Sequence, residues 1–390
     1  MKNSKSTAAK AAAVALVLTV TMASGSIPCL SPNPAAAATD SVNQKATVML
    51  EHKPFKQSGQ LYVPLREVAA LFDLQLTYNH ATKSLELTGV TQYAKLKAGN
   101  ASATGKNNVV VSLGAPVLIK QGITYVPASL FAKLFGISIT PSGKQEITFV
   151  YSSKYVMAQA EGKLFWLNRE KGVLYMGTSG RLPARAGSIN VEHPDLLWMD
   201  AHKINDSTYV TSIYNSYGEP HIFDGRYRAI LHNGSIIRQA SMSYGGPSSI
   251  HLEKDVLTYD GKIILNNGQT AELVTPDGKV ADIIDLEKIG GPDDVYSLEV
   301  MESDFLLIRP YSTGTLLLVD RSSGEATSIY LSMLDKASID RIQNDEFGIG
   351  DGLKYTGRTG DRLNFKWQLP NLSSEAVTKT YDLSKKTTTP

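Results

Sequence analysis

The strongest constraint on this 390-residue chain is an internal repeat. Tyr62-Val63-Pro64-Leu65-Arg66-Glu67-Val68-Ala69-Ala70-Leu71-Phe72 returns sixty-three residues later as Tyr125-Val126-Pro127-Ala128-Ser129-Leu130-Phe131-Ala132-Lys133-Leu134-Phe135. The match continues through Leu74–Thr77 against Ile137–Thr140. A duplication of this length restricts the fold to two like units. In the first copy a hairpin is predicted from Ala46–Leu50 and Leu61–Val63, turning near Gln57-Ser58-Gly59. In the second it runs from Pro116–Ile119 to Ile123–Val126. Pro64 and Pro127 close the strands and suit the first turn of a helix, where a missing N–H has no partner to lose. Leu65, Val68, Leu71 and Phe72 make one apolar helical face, and Leu130, Phe131, Leu134 and Phe135 the other. Asp73 and Gly136 fall just past each helix, where a left-handed residue ends the turn. Return strands follow at Gln75–Tyr78 with Ser84–Leu87, and at Ser138–Thr140 with Glu146–Phe149. Ala94–Asn108 reads as a polar connection. The two units, each too small to bury its own core, are expected to pack together as an α+β domain at residues 39–152.

Residues 44–150 resemble the stalk domain, also called the copper amine oxidase N-terminal domain. The paired Tyr-Val-Pro, the helix after each, and the linking Val109-Val110-Val111-Ser112-Leu113-Gly114-Ala115-Pro116 carry the resemblance. In the oxidases this domain holds neither the copper nor the quinone. The rest of this chain is too short for their catalytic domain, and it has no His-x-His pair and no Asn-Tyr dipeptide. The resemblance implies an accessory module of bacterial surface proteins that acts in envelope association.

Lys2, Lys5 and Lys10 precede an apolar run, Ala11–Ala23, that is too short to span a bilayer; prolines and Ala35–Ala38 follow. That order predicts a secretory signal peptide at residues 1–38. An uncleaved anchor, or lipidation at Cys29, is the alternative. Cys29 is the single cysteine, so cleavage leaves a chain without disulfides or thiolate metal sites. Removing the three leader lysines leaves 36 of the 39 basic residues against 37 acidic ones. No basic run suggests nucleic acid, and no membrane association is expected after cleavage. The polar tail Lys385–Pro390 has no hydrophobic segment, so any retention at a surface is expected to be non-covalent.

From Tyr155 the chain becomes short apolar alternations broken by Gly, Asn and Asp turns, an all-β pattern. Polar turns at Glu161, Asp206, Asp255, Asp304 and Asp351 are spaced 45, 49, 49 and 47 apart. Gly245-Gly246-Pro247 returns as Gly290-Gly291-Pro292, and Asn233-Gly234, Asp277-Gly278 and Ser323-Gly324 mark hairpins at the same beat. Four strands occupy such a period in a β-propeller blade. Residues 153–390 are therefore expected to form a propeller-like domain of about five blades, starting near Tyr155, Asp195, Ser249, Val295 and Asp345. A β-sandwich with long hairpins is the alternative.

Tyr244 and Asp293–Asp294, in the two Gly-Gly-Pro loops, are the candidate binding residues; the same loops also read as repeated tight turns. Asp195, Asp200 and Asp224 with Asp293 and Asp294 are the acids a glycosidase would draw on. His193, His202, His221, His232 and His251 lack metal-ligand spacing, and no catalytic motif or cofactor fingerprint is present. Trp166, Trp198 and Trp367 with Tyr214, Tyr217 and Tyr244 offer either a sugar-stacking platform or packing between strands. Tyr62 and Tyr125 are expected to share a packing role. The expected function is that of an exported, non-catalytic envelope protein binding a cell-wall polymer, a surface glycan or a protein, with no catalytic residue, metal or cofactor. The alternative is a secreted carbohydrate-active enzyme.

Overall fold

The computed structural model describes residues 45–220, 222–246, 250–345, 348–369 and 375–384. The expected signal peptide, His221, Pro247-Ser248-Ser249 and the tail Lys385–Pro390 lie outside the described residues. Among the described residues no helix is long and apolar enough to cross a membrane. The chain is mostly β, in many antiparallel sheets. It divides into two compact units. Among the described residues, one holds residues 45–68, Ala98–Ser102 and Ser112–Ser152. The other holds Ala69–Lys97, Ala103–Val111 and the described residues from Ser153 on.

In the first unit the two repeat copies meet strand to strand. Gln60–Pro64 pairs antiparallel with Ile123–Pro127, Val63 opposite Val126, so that Tyr62 faces Pro127 and Tyr125 faces Pro64. Outside these lie Phe55–Gln57 and Leu118–Lys120, completing a four-stranded sheet. The first hairpin is thus Phe55–Gln57 with Gln60–Pro64. Lys45–Met49, expected to be its first arm, instead pairs with Glu146–Val150. Chain length explains this: Leu50–Pro54 separates it from the hairpin and lets it reach the second copy's return strands. Tyr62 and Tyr125 are both buried, with Phe55 stacked on Tyr62 at 5.1 Å and edge-on to Tyr125 at 5.0 Å. The Tyr62 hydroxyl donates to the Pro116 carbonyl at 2.9 Å. Burial raises the pKa of both phenols.

Both helices form where expected, α1 at Leu65–Leu71 and α2 at Ser129–Phe135. Both end on a left-handed residue, Asp73 at φ 56° and Gly136 at φ 72°.

The second unit contains most of a five-stranded sheet, Gln75–Asn79, Ser84–Thr88, Tyr93–Leu96, Ser102–Gly105 and Val110–Ser112. Two of these strands occupy the stretch expected to be a polar connection. Ala94, Leu96 and Ala103 are buried while Lys95 points outward, a period of two hidden by small residues and lysines.

Five further sheets follow in chain order. The first is Tyr155–Ala160, Lys163–Asn168, Val173–Thr178 and Ala184–Ser188; the second is Leu196–Lys203, Thr208–Tyr217, Phe223–His232 and Ser235–Gly245. The third is Thr258–Tyr259, Lys262–Asn266, Thr270–Val274 and Val280–Asp285. The fourth is Tyr296–Met301, Phe305–Pro310, Leu317–Asp320 and Ala326–Ser328, and the fifth is Leu353–Thr359, Arg362–Trp367 and Val377–Asp382. Each strand pairs with its chain neighbour. Second strands such as Phe305–Pro310 are buried on both faces, which is why they read as unbroken apolar runs. Short helices α3 (Leu286–Gly290), α4 (Tyr330–Met333) and α5 (Lys336–Gln343) follow the third and fourth sheets.

The equally spaced polar turns are not all equivalent. Glu161-Gly162, Asn205–Ser207 and Glu302–Asp304 join first to second strands, whereas Asp255 and Asp351 precede a first strand. Their carboxylates explain the difference. Asp255 accepts from the Leu298 N–H at 2.7 Å and from Asn266 at 2.8 Å, and Asp351 accepts from the Leu316 N–H at 2.6 Å. The three Gly-marked hairpins are equivalent, each joining a third strand to a fourth. Asn233 and Gly234 both have positive φ, as a two-residue hairpin turn of matching twist requires.

Candidate binding site

Along the second sheet, side chains two residues apart share a face. Register places Trp198, Tyr214, Arg226 and Met242 in one row, and Asp200, Ser212, Arg228 and Ala240 in the next. The two arginines fix the segment 252–256. Arg226 donates to the carbonyls of Leu252 and, at 2.5 Å, Glu253. Arg228 donates to those of Asp255 at 3.1 Å, Val256 at 2.9 Å and Ile264 at 2.8 Å. Burial lowers the Arg228 pKa against the pull of Asp255.

That segment carries Lys254. Its ammonium lies 4.8 Å from the centre of the Tyr214 ring and 2.8 Å from the Asp200 carboxylate. The hydrogen bond to Asp200 raises the lysine pKa, against a smaller effect of burial. Trp198 stacks on Tyr214 with ring centres 5.3 Å apart and planes 12° apart, and it is 47% exposed. The result is an open aromatic face edged by one ammonium and one carboxylate. Such a face can hold the apolar side of a sugar ring while the charged edge bonds its hydroxyls.

The other two tryptophans pack. Trp166 is fully buried, and the Trp367 indole N–H donates to the Asp351 carbonyl at 3.0 Å. Tyr217 stacks between His193 at 5.4 Å and Phe223 at 5.5 Å.

Tyr244 is 7% exposed and accepts a hydrogen bond from Arg226 at 2.7 Å. Its ring lies 5.0 Å from Tyr311, and burial raises its pKa. Asp294 binds Ser312, accepting from its N–H at 3.1 Å and its hydroxyl at 2.6 Å, and also accepts from the Val295 N–H at 2.8 Å. Tyr244 and Asp294 are thus linked through consecutive residues Tyr311 and Ser312. Asp293 is exposed, with φ 61°. The first glycine of each Gly-Gly-Pro sits where a Cβ would collide. At Gly245 it would meet the Ile222 carbonyl at 2.4 Å, and at Gly290 the Tyr296 ring at 2.3 Å. Of the remaining acids, Asp224 pairs with His251 at 3.1 Å, and the Asp195 N–H donates to Asn215 at 3.0 Å. His232 bonds Thr208 at 2.9 Å. Among the described residues no group of three or more His, Cys, Asp or Glu side chains could hold a metal ion.

Sequence reasoning named Trp198, Tyr214 and Asp200 separately and missed Lys254 and the arginines that place it. The available signal was Arg226-Tyr227-Arg228, a charged alternation that runs directly into the apolar Ala229-Ile230-Leu231.

No curated protein matches the chain. Solved structures it is similar to include apo AztD from Citrobacter koseri, 10% identical with a TM-score of 0.25, covering 65% of this chain and 85% of that one. Myxococcus xanthus glutaminyl cyclase is 14% identical with a TM-score of 0.23, covering 59% and 91%. A prolyl endopeptidase is 11% identical with a TM-score of 0.29, covering 87% and 56%. Likenesses this slight carry neither fold nor activity over to this chain. The family model of the copper amine oxidase N-terminal domain matches residues 41–174, the stretch holding both repeat copies.

Proposed function

We propose that this is an exported, non-catalytic envelope protein. In this reading its stalk-type domain associates with the cell wall or displays the rest of the chain. The five consecutive sheets from Tyr155 form a propeller-like domain that binds a surface glycan. The observation that carries the glycan reading is the stacked, half-exposed Trp198–Tyr214 pair with Lys254 and Asp200 at its edge. The family-model match at residues 41–174 supports an accessory rather than a catalytic role. The test is co-sedimentation of the mature chain and its Trp198→Ala variant with purified Gram-positive cell walls. The wild type should pellet, and the variant should pellet measurably less while keeping its melting temperature. Equal pelleting of both would remove the platform from the reading. A wild type that never pellets would remove wall association.

A further inference from the structure

A cavity of about 740 Å³ opens between the fourth and fifth sheets. Part of its lining is apolar, with Phe305, Leu318 and, 49% exposed, Leu331 of α4. Its charge is one-sided. Four carboxylates, of Asp304, Asp320, Glu325 and Asp361, face one cation, Arg358. Arg358 is already engaged with Asp304 at 2.8 Å and packs over the Phe305 ring at 5.7 Å. Asp320 turns inward to the N–H groups of Ser322 and Ser323. Among the described residues neither Glu325 nor Asp361 has a cation within ion-pairing distance, and both are exposed.

One wall of the cavity is the whole outer strand of the fourth sheet, Ala326–Ser328, which among the described residues pairs only with Leu317–Asp320. The outer strand of the fifth sheet, Val377–Asp382, contributes Tyr381 and among the described residues pairs only with Arg362–Trp367. A strand paired on one side offers its remaining N–H and C=O groups to another backbone.

We infer that this cleft binds an extended basic peptide segment carrying an apolar side chain. The peptide backbone adds to the Ala326–Ser328 edge, its apolar side chain packs beside Leu318 and Leu331, and its Lys or Arg residues meet Glu325 and Asp361. A neutral glycan would leave the two carboxylates unused, and a small organic cation would leave the strand edge unused.

The test is calorimetric titration of the whole mature chain with two probe peptides. One is acetyl-Lys-Leu-Lys-Leu-Lys-amide; the other has Glu in place of Lys. The lysine peptide should bind, more weakly as salt rises, and the glutamate peptide should not. The double variant Glu325→Gln/Asp361→Asn, at exposed positions with no folding role, should weaken binding about threefold to tenfold. Leu331→Ser should weaken it independently, and Trp198→Ala should leave it unchanged. Tetramethylammonium, the cation without a backbone, should not compete. Equal binding of both peptides, no binding of either, or an unchanged affinity in Glu325→Gln/Asp361→Asn would each overturn the proposal.

Discussion

The indole N–H of Trp166 donates to the main-chain carbonyl of Asp73 at 3.0 Å. Two residues on, the side-chain amide of Gln75 donates to the Phe165 carbonyl at 2.9 Å. The Asp73 carboxylate in turn accepts from the Ser153 hydroxyl at 2.6 Å and from the N–H groups of Lys154 at 2.7 Å and Tyr155 at 3.2 Å. The first of the five sheets is therefore tied to a stretch of chain some eighty residues upstream. A fragment beginning at residue 153 leaves the buried Trp166 indole N–H without its partner, at a cost of about 1–3 kcal/mol, and loses the Gln75 bond as well. It is expected to melt well below the mature chain or to aggregate, whereas Asp73→Asn in the whole chain lowers stability by about 1–3 kcal/mol. Circular dichroism melts of both check this; a fragment as stable as the whole chain would refute it.

Arg309 is expected to be the most sensitive charged residue. Its guanidinium bonds Glu299 at 2.5 Å, Asp351 at 2.8 Å, and the carbonyls of Gly314 and Leu353 at 2.7 Å, all nearly shut off from water. Burial opposes its charge, but the two carboxylates outweigh that and raise its pKa; burial likewise raises that of Glu299. Arg309→Met leaves two acids enclosed without a counter-charge. The loss should be about 3–5 kcal/mol in urea unfolding, partly restored by adding Glu299→Gln. A loss below about 1 kcal/mol would contradict this account.

Tyr296 gives an alkaline signature. It is fully buried, and burial, helped by Asp294 and Glu287, pushes its phenol up to about 12. Its hydroxyl donates to the Gly291 carbonyl at 2.7 Å. Because the folded pKa is the higher one, its contribution is complete below about pH 10 and is lost as pH rises towards 12. Stability should fall there by up to about 1.4 kcal/mol per pH unit from this group alone. In Tyr296→Phe that part of the slope should vanish, which unfolding curves at a series of alkaline pH values measure directly.

Gly290→Ala is a steric test of the same tyrosine. The added Cβ would sit 2.3 Å from the Tyr296 ring, while the backbone at Gly290 needs no positive φ. The substitution should cost about 1–3 kcal/mol. In a Tyr296→Ala background most of that penalty should disappear, because the clash has lost its partner. An unchanged penalty would place the cause in the backbone.

What the sequence made legible was local and periodic. The Tyr-Val-Pro repeat, the helices with Asp73 and Gly136 beyond them, and the Gly-marked hairpins all depend on neighbours within a few residues. What escaped was long-range pairing. Nothing near Lys45–Met49 says that its partner is Glu146–Val150, and nothing near Tyr93–Leu96 offsets its lysines. Evenly spaced aspartates suggested one kind of turn, yet Asp255 and Asp351 serve backbone groups of other strands. The candidate site shows the same division. Trp198 and Tyr214 were visible as aromatics on strands, but only the register makes them a stacked pair. Lys254 reaches them because Arg226 and Arg228 bind main-chain carbonyls, an interaction that depends on no side chain in the segment they hold.

Val63 lies opposite Val126 in an antiparallel ladder, each at the same place in its own copy. An antiparallel pair of like strands maps onto itself under a half-turn, so the surface each copy offers is the surface it accepts. The first unit is in this sense a dimer written on one chain, with the linker setting a high and constant local concentration of the partner. One copy expressed without the other would carry an open edge addressed to itself. A substitution at Val63 changes what Val126 faces, and the reverse, so each copy carries half of every change made to the other.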